Sequence, residues 1–172
     1  MLTLLVGGVR SGKSTLALRL AERSAAPVVF VATAERIDAD MDDRIDRHRA
    51  ERSSSWQTVE EPLDLADAIA ALAPGTTVIV DCLTVWMANL LHHLPDQAQR
   101  DQRISALVAA LGERTGTTIV VTNEVGMGIH PETELGRQYR DELGRTNQRV
   151  AAIADDVLLC VAGRTLRLDD PA

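Results

Sequence analysis

The chain has 172 residues, 45% apolar and 25% charged, which fits one soluble domain with a core large enough to fold unaided. A net charge of −7 leaves no global basic field, which argues against a duplex-binding protein and leaves only a local basic patch to hold nucleotides. No apolar run approaches 18 residues and the apolar N-terminus ends at Val6, so neither a membrane span nor a signal peptide is expected. Cys82 and Cys160 match no metal spacing and read as buried reduced thiols, with a cytoplasmic home as the default.

A buried strand is predicted at 2–6 ("LTLLV"), followed at once by "GGVRSGKS" (7–14). The spacing Gly7, four residues, Gly12, Lys13, Ser14 is the phosphate-binding loop pattern, in which main-chain N–H groups converge on phosphate oxygens. The helix predicted at 14–25 turns its N-terminus toward that anion. A strand at 28–32 leads into "TAER" (33–36), and a helix spans about 38–52. Next come a strand near 56–59, a helix at 63–72 after Pro62, and a strand at 77–81 closed by Asp81. A helix at 84–91 precedes "HHLPDQAQRDQ" (92–102), read as an exposed loop, and a further helix covers 101–114. The strand at 117–122 ends in "NEVGMG" (123–128), a helix with Pro131 near its start runs over 132–154, and short strands follow at 157–161 and 165–168. Alternating strands and helices predict an α/β fold: a single-domain P-loop NTPase-type (RecA-like), mostly parallel sheet with helices on both faces. In such sheets ligands sit beyond the carboxyl ends of the strands, where the chemically rich segments fall.

Lys13 is expected to pair with the β and γ phosphates, and the Ser14 hydroxyl to join the coordination of Mg²⁺. Asp81 suits the same metal, directly or through water, with a turn-capping aspartate as the plain alternative. Glu124 reads equally as a base, a substrate contact or a capping partner. In "ERIDADMDDRIDRHRAER" (35–52), helical spacing sets Met41, Ile45, His48 and Arg52 along one side. A solvated surface would explain the charges, yet Arg47, Arg49 and Arg52 around a histidine also suit bidentate phosphate binding. Cationic neighbours disfavour imidazolium and leave a neutral nitrogen able to attack phosphorus. His92, His93 and His130 read as exposed. Trp56 and Trp86, conspicuous where aromatics are 2% of residues, read as core with base stacking as the alternative.

Together, "GGVRSGKS", "VATAE", "DMDDRIDRHRAER", "WQTVEEP", "VDCLTVWMANLL", "TNEVGMGIHPETELGRQYRDELGRTNQRVA" and "ADDVLLCVAG" resemble the bifunctional adenosylcobinamide kinase and adenosylcobinamide-phosphate guanylyltransferase family of cobalamin biosynthesis. The resemblance implies phosphorylation of adenosylcobinamide by ATP or GTP, then transfer of GMP from GTP to adenosylcobinamide phosphate with release of pyrophosphate. His48 matches the family's nucleophile within "R-I-x-x-H-R", with Arg47 in place of an additional histidine. It also implies that Gly7, Gly8, Val9, Arg10, Ser11, Gly12, Lys13, Ser14, Thr15, Thr33, Ala34, Glu35, Arg49, Ala50, Glu51, Arg52, Glu60 and Asp81 surround the nucleotide. Ser14 and Asp81 would meet Mg²⁺, and Glu60 would read guanine through its N1–H and exocyclic amine. The family's oligomer is a homotrimer, for which the helix at 132–154 offers a face. A P-loop small-metabolite or nucleotide kinase with a structural His48 is the main rival, and a nucleotide-dependent switch without phosphoryl transfer is the second.

Overall fold

The computed structural model describes residues 1–36, 39–50 and 52–169. In chain order the elements are β1 (Leu2–Gly7), α1 (Lys13–Glu22), β2 (Val28–Ala32), α2 (Ala39–Ala50), β3 (Gln57–Glu60), α3 (Leu65–Ala70) and β4 (Thr77–Asp81). They continue with α4 (Leu83–His93), α5 (Gln97–Glu113), β5 (Thr118–Val121), α6 (Glu134–Ala151), β6 (Asp156–Val161) and β7 (Arg164–Leu168). The strands form one sheet in the order β3-β2-β4-β5-β1-β6-β7, parallel except for the antiparallel pair β6–β7.

Period-two alternation sends neighbouring strand residues to opposite faces, and both faces are apolar. Leu4, Val29, Val31, Val78, Val80 and Val120 join one core with residues of α3, α4, α5 and α6. Leu5, Phe30, Ile79, Ile119 and Val121 face the other way, onto α1. Ala17 and Ala21 of α1 are buried there, and small residues one turn apart let the helix lie close to the sheet.

Two expectations change. The segment 92–102 is no loop: α4 runs to His93 and α5 begins at Gln97. Asp96 caps α5 by accepting from the Ala98 N–H at 2.9 Å. The polar residues that suggested a loop include Arg100, which is 1% exposed because its guanidinium grips Glu142 of α6. The second change is at α6, which starts at Glu134 rather than 132, where Thr133 caps it by accepting from the Gly136 N–H at 3.1 Å. Trp86 is core, with Nε1 donating to the Leu63 carbonyl, and Trp56 packs partly buried beside the α1 core. Asp38, predicted at the start of the second helix, lies outside the described residues.

Candidate active site

At the carboxyl edge of the sheet, β1 turns into the loop 7–12 and then α1. A Cβ at Gly7 would lie 2.3 Å from the Cys160 carbonyl oxygen, so glycine lets the loop leave this close to β6. Gly12 has φ 99°, a left-handed conformation that releases the chain into α1, and its N-terminal neighbour Ser11 accepts from the Gly163 N–H at 3.0 Å. The turn between β6 and β7 therefore braces the loop from outside.

Lys13, only 5% exposed, folds its ammonium back onto this loop. Nζ donates to the carbonyls of Gly7 at 2.9 Å and Gly8 at 2.7 Å, and to Ser11 Oγ at 3.3 Å. Burial pulls its pKa below 10.5, partly offset by Cys160, Cys82 and Asp81. Val9, Arg10 and Thr15 are exposed, and Ser14 is half-buried on the first turn of α1.

One cleft joins the two motifs that the sequence separates by some thirty positions. Ser14, Ala17 and Leu18 of α1, Ile79 and Asp81 of β4, and His48 and Arg52 line it together. The Arg52 guanidinium lies 3.4 Å from the centre of the Phe30 ring, a cation–π contact on the α1 side of the sheet. His48 is half-buried, whereas Arg47, Arg49 and Ala50 are exposed, so of the flanking arginines Arg52 is the one in the cleft. Glu51 and the side chain of Met41 lie outside the described residues. The Ser14 hydroxyl and Asp81 carboxylate are hard oxygen donors of the kind Mg²⁺ takes.

The remaining predicted residues occupy the neighbouring strand ends. Thr33 is fully buried; its hydroxyl donates to the Cys82 carbonyl at 2.9 Å and accepts from the Cys82 N–H at 3.0 Å. Ala34 is half-buried, and Glu60 is exposed at the end of β3. The Glu35 carboxylate meets His93 Nε2 at 3.0 Å, so this exposed histidine is tied to the second strand's exit. Glu124 turns out to be a capping group, accepting from the main-chain N–H groups of Gly126 and Met127. Sequence reasoning missed Asn89, whose amide donates to the Thr33 and Pro62 carbonyls at 2.7 and 3.1 Å. An amide inside the apolar run "WMANLL" was the available signal, because such a group needs partners when buried.

A phosphate loop opening a helix at the carboxyl edge of a mostly parallel sheet defines a P-loop NTPase-type α/β protein. The assembled type III secretion ATPase EscN of enteropathogenic E. coli superposes with a TM-score of 0.60 at 16% identity, over 94% of this chain and 43% of that one. That likeness concerns the fold alone. The family model described as "Cobinamide kinase / cobinamide phosphate guanyltransferase" matches residues 3–168, and the chain belongs to that family. A relative from Pseudomonas aeruginosa, named bifunctional adenosylcobalamin biosynthesis protein CobP, is 46% identical over 170 residues, covering 98% of this chain and 97% of its own. Another from Salmonella typhimurium, named bifunctional adenosylcobalamin biosynthesis protein CobU, is 41% identical over 176 residues, covering 95% and 97%.

Proposed function

We propose that this chain phosphorylates adenosylcobinamide with ATP or GTP and then transfers GMP from GTP to the product, with His48 as the covalent carrier. Family membership supports the two activities. The single observation that carries the shared-site reading is the cleft in which Ser14, Asp81, His48 and Arg52 meet.

In the first transfer the acceptor hydroxyl oxygen attacks the γ-phosphorus, the bond to the β–γ bridging oxygen breaks, and the nucleoside diphosphate leaves as the hydroxyl proton is lost. The main-chain N–H groups of loop 7–12 and Lys13 hold the triphosphate and offset its charge. In the second, an imidazole nitrogen of His48 attacks the α-phosphorus of GTP and pyrophosphate departs. An oxygen of the acceptor phosphate then attacks the same phosphorus, breaking the P–N bond and restoring the imidazole. Arg52 is suited to hold the α-phosphate, and Glu60 to accept from guanine. Mg²⁺, held by Ser14 and Asp81, would supply Lewis-acid stabilisation of the phosphate oxygens.

Incubation with GTP labelled at the α-phosphate tests the carrier. Label bound to the wild type, stable in alkali, lost in acid and missing from His48→Ala, is the expected result. Its absence from folded wild type across metals and pH would favour a simple kinase.

The same reading treats residues 1–172 as one nucleotide-binding domain acting in the cytoplasm as a homotrimer, without nucleic acid as a partner. Among the described residues no helix is long and apolar enough to cross a membrane. The outward residues of α6 include Asp141, Arg145, Gln148 and Arg149, whereas Val161, Leu166 and Leu168 expose apolar surface on β6–β7. The strand pair therefore suits a subunit contact better than α6 does. Sedimentation at three times the mass of the chain is the expected result.

A further inference from the structure

We propose that the turn after β5, through Met127 and Ile129 and together with Val9 of the phosphate loop, is the docking surface for the corrin ring of the acceptor. This rests on the reading of the acceptor as a cobinamide. Met127 is 83% exposed, Ile129 97% and Val9 76%. Single exposed apolar residues are ordinary on protein surfaces, but these three fall on two segments that a main-chain hydrogen bond joins, from the Glu124 N–H to the Gly7 carbonyl beside the phosphate loop.

The turn is built to hold these side chains in water. The Glu124 carboxylate caps the Gly126 and Met127 N–H groups, and a Cβ at Gly126 would approach its Oε1 to 2.9 Å. Before the turn, the Asn123 N–H donates to Thr84 Oγ1 at 2.8 Å, and Asn147 Nδ2 donates to the Asn123 carbonyl at 3.1 Å. After it, Arg137 Nη1 donates to the Pro131 and Glu132 carbonyls, and Arg140 Nη1 lies 2.9 Å from His130 Nδ1. The near end is thus pinned to α4 and α6 and the far end to α6, while Met127 and Ile129 between them are exposed.

Position selects the occupant. The Glu124 N–H donates at 3.1 Å to the Gly7 carbonyl, the same oxygen that receives Lys13 Nζ. The turn is therefore joined directly to the loop that would hold the transferred phosphoryl group, on the β5 side, whereas His48 and Arg52 belong to the α2 side. An acceptor whose hydroxyl reaches the γ-phosphorus must lay the rest of its bulk over a rim of this loop. A corrin ring is broad, rich in methyl groups and fringed with neutral amides. Its apolar faces match Val9, Met127 and Ile129, and its amides match the polar edge formed by His130 and Arg140.

Equilibrium dialysis of adenosylcobinamide against the whole protein, followed by the visible absorbance of the corrinoid, tests this without catalysis. The Met127→Ser/Ile129→Ser variant is expected to bind at least tenfold more weakly, and Met127→Leu/Ile129→Val within twofold of wild type. Nucleotide affinity, measured alongside, should stay within twofold in both, which separates lost docking from misfolding. Corrinoid affinity within twofold of wild type in the serine variant, or no binding by the wild type, overturns the proposal; so does a change in sedimenting mass without a change in corrinoid affinity, which would assign the surface to a second copy. Absence of the α-phosphate label on His48, by contrast, counts against the guanylyl-transfer reading alone.

Discussion

Lys13 holds its ammonium on the carbonyls of its own loop, at 2.9 Å from Gly7 and 2.7 Å from Gly8, so the charge is stationed beside the site of the phosphate tail. Its removal takes away the one buried cation of the loop, and Lys13→Ala is expected to abolish the kinase step. Wild-type phosphorylation of adenosylcobinamide by that variant would contradict the assignment. His48 differs, since only guanylyl transfer requires its nitrogen as a carrier. His48→Ala should lose formation of the GDP-linked product yet retain kinase turnover, read by following the two products separately. Equal loss of both in a folded variant would count against that division.

Among the elements, α5 shows how a single capping residue decides a boundary. The Asp96 carboxylate accepts from the Ala98 N–H at 2.9 Å, which starts the helix four residues earlier than the apolar periodicity suggests. Asp96→Ala is expected to cost about 1 kcal/mol, seen as a fall of roughly 2–4 °C in Tm for a chain of this size. The early start also carries Arg100 inward. There Nε and Nη2 donate to the two oxygens of Glu142 at 2.9 and 2.8 Å, and Nη1 donates to the Leu94 and Pro95 carbonyls. This clamp fixes the link between α4 and α5 against α6, the helix whose Asn147 donates to the Asn123 carbonyl at the exit of β5 and whose Tyr139 hydroxyl donates to the Thr84 carbonyl of α4.

At the scale of the whole molecule, the same ion pair sets part of the response to acid. Burial raises the Glu142 pKa, but the hydrogen bonds from Arg100 and Gln138 and the Arg100 charge outweigh it, leaving the value below 4.5. A carboxylate held below its unfolded value stabilises the fold above that value and loses the contribution as pH falls toward the folded pKa. Wild-type stability should therefore drop below about pH 4.5, and Glu142→Gln should flatten that part of the profile. At neutral pH the variant leaves Arg100 buried beside a neutral partner, and denaturant unfolding should show a loss of about 3 kcal/mol or more. An unchanged unfolding midpoint at pH 7 would show that the pair adds nothing to stability.

The glycine spacing and the lysine of "GGVRSGKS" were enough to mark the phosphate loop, because the whole pattern falls within eight residues, while the close approach of the Cys160 carbonyl to Gly7 is a tertiary matter. The apolar strands determined the parallel sheet in the same way, since burial on both faces demands continuous Val, Ile and Leu runs. Asp96 and Arg100 misled, because their polarity is satisfied by a helix cap two residues on and by a residue 42 positions away, and the second pairing does not follow from neighbours in sequence. Tertiary structure alone decided that Thr33 ties β2 to the end of β4, and that His48 and Arg52 share a cleft with Ser14 and Asp81. Those relations depend on which strands become neighbours and where the helices cross them, and the sheet order sets both.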